Sequence, residues 1–80
     1  MDAIEIFGLR ENLEKVCKKA WELGNFGSTC IDENELDVFV RDYTTKDGIS
    51  ELINYAQENS CYINGLTAKF LITKYGFKEG

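Results

Sequence analysis

The chain has 80 residues, a formal net charge of −5, no histidine and no proline. That length predicts one small domain with a modest core, whose stability depends on close packing. The missing histidine excludes Ser-His and Cys-His nucleophile pairs and a Cys/His metal site, and a hydrophobic content of 44% argues against wholesale disorder.

Residues 6–23 carry the clearest periodicity. Ile6, Leu9, Leu13, Val16, Ala20 and Leu23 recur in steps of three and four, the spacing of one helical stripe. Arg10, Glu11, Glu14, Lys15, Lys18, Lys19 and Glu22 fall on the other side, with Glu11–Lys15 and Glu14–Lys18 in the favourable i,i+4 order. Asp2 and Glu5 have capping-box spacing, so this helix can begin at Ala3. The alternative is a short extended piece over residues 3–7, with the helix starting near Leu9. Gly24 is a natural left-handed C-cap. Trp21, one turn after Cys17, is expected to close the edge of the core.

Residues 28–43 support two readings. As strands, 28–32 and 35–43 make a hairpin around Glu33-Asn34. Leu36, Val38 and Val40 then share one face, with Ile31 opposite Leu36, and Asp37, Phe39, Arg41 and Tyr43 share the other. As a helix, Asp32 caps, Glu35 completes the box, and Leu36, Phe39, Val40 and Tyr43 form the stripe. The hairpin is preferred because β-branched and aromatic residues dominate the central run.

Thr44, three residues before Asp47, is expected to cap a helix ending at Asn59, with Ile49, Leu52, Ile53 and Ala56 buried. Residues 61–65 read as a connection. A last helix is expected over residues 66–75, with Ala68, Leu71, Ile72 and Tyr75 on one stripe and a Gly76-Phe77 ending. The expected fold is therefore α+β, a single domain with an N-terminal helix, a β-hairpin and two C-terminal helices. The alternative is an all-α four-helix domain.

Cys17, Cys30 and Cys61 are odd in number and widely spaced, unlike a disulfide framework or a zinc cluster. Cys17 is expected in the core and Cys30 near the surface. No apolar run reaches membrane-span length. The acidic start Met1–Glu5 lacks the layout of a secretory signal, so a cytoplasmic protein is expected. The excess charge is local: Asp32, Glu33, Glu35, Asp37, Asp42, Asp47 and Glu51 outnumber Arg41 and Lys46 in the middle segment, and the rest of the chain is neutral.

That segment disfavours phosphate binding, which requires Lys and Arg to neutralise the backbone. Asp32-Glu33-Asn34-Glu35 is not a calcium loop, since the central glycine and the acid at position 12 are missing. The glycines are scattered turn and cap residues rather than a phosphate cradle. No enzyme, cofactor or metal is expected.

The expected function is a non-catalytic protein-binding module, a small acidic inhibitor or regulator docking on a basic partner surface. The candidate contact residues are Asp32, Glu33, Glu35, Asp37, Phe39, Asp42 and Tyr43. In size and charge, with no motif behind it, the chain is similar to phage-encoded anti-restriction and anti-CRISPR proteins. That likeness implies clustered carboxylates occupying a basic groove in place of phosphates. One alternative is a helix-turn-helix DNA-binding transcription regulator built from residues 49–59 and 66–75, although Thr67, Lys69, Thr73 and Lys74 are a thin set for reading bases. The other is a homodimeric structural or interaction protein using the 3,4-spaced stripe of residues 6–23.

Overall fold

The computed structural model describes residues 3–64. They form β1 (Ala3–Phe7), α1 (Arg10–Leu23), β2 (Thr29–Asp32), β3 (Glu35–Phe39), α2 (Lys46–Glu58) and β4 (Tyr62–Ile63). The class is α+β, and the four-stranded sheet overturns the all-α alternative. Strand order is β2-β3-β1-β4, with every neighbouring pair antiparallel. β1 and β2 therefore run parallel with β3 between them, and β3 and β4 run parallel with β1 between them. These are two interleaved split βαβ units, the ferredoxin-like connectivity.

Alternation decides which side of the sheet is core. Ile4 and Ile6 of β1 pair across the ladder with Val38 and Leu36 of β3, and all four are sealed from solvent. Leu13, Val16, Cys17 and Ala20 of α1 cover them, together with Ile49, Leu52, Ile53 and Ala56 of α2. Phe26, Val40 and Cys61 complete this cluster.

The N-terminus corrects one expectation. Ile6 belongs to a strand, not to the helical stripe, and Leu9 is the exposed N-cap residue of α1. Ile6 fits both a period of two with Ile4 and a step of three to Leu9. Pairing with β3 settles the choice for the extended alternative over residues 3–7, with the helix starting after Leu9, and Glu5, a strand residue, completes no capping box. Leu9 makes no side-chain cap bond, a position where a polar cap ordinarily contributes about 1 kcal/mol. α1 ends as expected at Gly24, whose φ of 72° is left-handed and whose N–H donates to the Ala20 carbonyl (3.2 Å).

The hairpin forms in the expected register, Ile31 opposite Leu36, with Glu33 and Asn34 in the turn. β3 stops at Phe39 rather than continuing to Tyr43. The chain turns over residues 41–44, where the Thr44 N–H donates to the Arg41 carbonyl (3.0 Å) and the Arg41 N–H to Thr44 Oγ1 (2.8 Å). Thr44 is thus occupied and buried, and Thr45 caps α2 instead, accepting from the Gly48 N–H (3.0 Å). Asn25 Nδ2 donates to the same hydroxyl (2.7 Å), tying the end of α1 to the start of α2. A Cβ at Gly48 would collide with the Asn25 amide.

Trp21 does not close the core. It is 66% exposed, and its indole N–H donates to Thr29 Oγ1 (3.0 Å), an acceptor shared with the Cys17 thiol (3.3 Å). Among the described residues the ion pairs are Arg10–Glu14 (3.7 Å) and Lys19–Glu51 (2.9 Å), rather than the two expected along α1. The second links α1 to α2, and Lys19 Nζ also lies 5.4 Å from the Tyr55 ring centroid. Its bond to Glu51 outweighs desolvation and raises the Lys19 pKa.

The end of α2 is a Schellman motif: Cys61 N–H to the Ala56 carbonyl (2.9 Å) and Ser60 N–H to the Gln57 carbonyl (3.3 Å). Ser60, not glycine, takes the left-handed position at φ 62°. The motif redirects the chain into β4, which pairs with β1 where the sequence suggested only a connection. The expected helix over residues 66–75 and its Gly76-Phe77 ending lie outside the described residues.

Candidate functional site

The strands that bury Ile4, Ile6, Leu36 and Val38 present their alternate residues on the face turned away from α1 and α2. Register sorts these residues into rows. At the hairpin end Asp32, Glu35, Phe7 and Tyr62 lie side by side across the sheet. Cys30, Asp37 and Glu5 form the middle row, and Phe39 and Ala3 the far one. The face thus has an acidic centre with aromatic rings at both ends.

The sequence-derived site divides accordingly. Asp32, Glu35, Asp37 and Phe39 do share this face, and Glu33 sits at its hairpin edge with a left-handed φ of 54°. Asp42 and Tyr43 do not join them. Both are exposed in the turn after β3, at the opposite end from the hairpin, where the Tyr43 hydroxyl approaches the Phe26 carbonyl (3.4 Å). Arg41, expected beside Asp37 and Phe39, instead lies against Gly27. Sequence reasoning missed Glu5, Phe7 and Tyr62. The signal for the first two was the alternation of residues 3–7, visible once the extended reading is taken. Tyr62, in a two-residue strand, had none.

Carboxylate oxygens of Glu5, Glu35 and Asp37 come within 4.8 Å of one another. Hydrogen bonding with Asp37 raises the Glu35 pKa, and desolvation and the charges of Asp37, Glu5 and Asp32 add to it. Asp37 Oδ1 is shielded from water and has no hydrogen-bond partner. Among the described residues these three are also the ones placed to offer oxygen ligands to a hard cation. Cys30, in the same row, is exposed, whereas Cys17 and Cys61 are buried, and burial pushes the Cys61 thiol up.

Phe7 and Tyr62 stack with centroids 5.5 Å apart and planes 22° apart. They border a cavity of about 310 Å³ whose other walls are Gly8, Leu9, Asn34 and Ser60. The Gly8 N–H donates to the Asn34 carbonyl (3.1 Å), closing the corner between β1 and the hairpin turn. A Cβ at Gly8 would stand 2.9 Å from Cys61 Sγ.

Tyr62–Ile63 form a strand after α2, and the second helix of the helix-turn-helix alternative, residues 66–75, lies outside the described residues. Among the described residues no helix is long and apolar enough to cross a membrane. In comparison with known proteins the chain matches no family model, no curated protein and no solved structure. Its connectivity alone carries no function, since this layout hosts many.

Proposed function

We propose that this chain is a non-catalytic binding module that docks a basic protein surface on the sheet face opposite its helices. The observation that carries the reading is the convergence of Glu5, Glu35 and Asp37 within 4.8 Å on a face edged by Phe7, Tyr62 and Phe39. Like charges held this close favour a cationic partner, because its approach relieves their mutual repulsion. Aromatic rings beside the charges supply contact area at low entropic cost, as at interface hot spots. The same acids repel phosphates, which disfavours a nucleic-acid ligand. An inhibitor that fills a basic groove is the concrete form of this reading.

The test is affinity capture from nuclease-treated lysate at low and moderate salt, using the wild-type chain and a Glu35→Lys/Asp37→Lys variant checked for folding by circular dichroism. The expected result is one stoichiometric basic protein, released as salt rises and lost on charge reversal. Retention of that protein by the variant overturns the reading, as does salt-sensitive binding to bare duplex DNA without a protein partner.

A further inference from the structure

We propose that the cavity bounded by Phe7, Gly8, Leu9, Asn34, Ser60 and Tyr62 receives a single arginine side chain of the partner. This rests on the reading above and assigns the anchoring point within it. Leu9 and Tyr62, each 63% exposed, are apolar groups left uncovered on the two sides of one opening. Leu9 occupies a helix N-cap without capping anything, so its side chain serves the cavity wall rather than the helix. Of the non-glycine residues with left-handed backbone among those described, Ser60 stands at this cavity and Glu33 is adjacent in sequence to its lining residue Asn34. Such backbone is retained where surrounding structure demands a particular shape.

Size and charge select the occupant. At about 310 Å³ the cavity is at the lower limit for small-molecule sites and suits one long side chain. The stacked Phe7 and Tyr62 rings offer a π-face to a cation. Glu35 is the direct cross-strand neighbour of Phe7 on the same face, with Asp32 next beyond it. A guanidinium meets both demands: its plane stacks on aromatic rings and its fork of donors matches a carboxylate. The chain's own Arg10, beside Leu9, is engaged with Glu14 (3.7 Å). An anion would face the Asp32–Glu35 row, and a purely apolar side chain would leave that row uncompensated.

The experiment is a two-dimensional amide NMR titration of the full chain with a glycine-serine peptide carrying one arginine, beside its uncharged citrulline analogue. Saturable shifts are expected at Phe7, Leu9, Asn34, Ser60 and Tyr62 with the arginine peptide only. Tyr62→Ala should weaken binding about fivefold, Tyr62→Phe should retain it, and Trp21→Ala, on the helix side, should leave it unchanged. Tyr62 is exposed, so its loss does not threaten the core. Shifts confined to Cys30, Asp37 and Glu5, equal binding of citrulline, or indifference to Tyr62→Ala would overturn the proposal. A partner captured through Asp37 but insensitive to Tyr62→Ala removes this anchor while leaving the docking face standing. A partner insensitive to both removes the two together.

Discussion

The two faces of the sheet are made by the same strands and differ in every other respect. On the helix side Ile4, Ile6, Leu36 and Val38 interdigitate with α1 and α2. One residue along, the like-charged Glu5, Glu35 and Asp37 crowd together. The first face gains free energy by removing apolar surface from water; the second brings like charges together, which raises the Glu35 pKa. It is on this contrast that the proposed docking face rests.

The sharpest way to break the comparison is to substitute neighbours. Leu36→Ala should destabilise the fold by about 3 kcal/mol, read from urea unfolding, because a fully buried leucine leaves a cavity behind. Asp37→Asn, the next residue, should raise the urea midpoint at neutral pH by removing one of the converging charges. A matching loss in both would mean the faces are energetically alike.

Strain should likewise be confined to the hairpin end of the acidic face. Glu33→Gly and Ser60→Gly each replace a side-chain-bearing residue at a left-handed φ of 54° and 62°. Each should stabilise by about 1 kcal/mol, measured by thermal unfolding.

The acid cluster predicts a pH dependence whose sign follows from linkage. Glu35 has its pKa raised in the folded state, so the native chain holds that proton where the unfolded chain has released it. The associated stability is fully present below the ordinary glutamate value, near 4.5, and is lost as pH rises through the folded value. Glu35→Gln should therefore flatten the stability profile across that window and raise the melting temperature at neutral pH. An unchanged profile would mean the cluster is screened. The smallest perturbation is chemical: a thiol reagent should label Cys30 rapidly in the native chain, with Cys17 and Cys61 reacting only on unfolding.

What the sequence made legible was local. The alternation of Leu36, Val38 and Val40, the two-residue turn at Glu33-Asn34 and the left-handed Gly24 are each readable within a few residues. The α+β class followed from them. What it concealed was decided at a distance. Ile6 satisfied two periodicities at once, and only Leu36 across the ladder chooses between them. Trp21 looked like core by its size and spacing from Cys17, yet the buried arc of α1 through Leu13, Val16, Cys17 and Ala20 leaves it outside. The acidic middle segment announced Glu35 and Asp37. Glu5, Phe7 and Tyr62 join them only because β1 lies between β3 and β4.

That central placement of β1 also orders events in time. Ile4 finds its partner in Val38, and Ile6 in both Leu36 and Ile63, so the first strand made is the last to be satisfied on both sides. On a translating ribosome, residues 3–7 must wait unpaired while α1 and the β2–β3 hairpin emerge, and the sheet closes only when Tyr62 and Ile63 arrive. Pairings this remote along the chain slow the search for the native state. A nascent chain at that stage carries Ile4, Ile6 and Phe7 without their cross-strand neighbours.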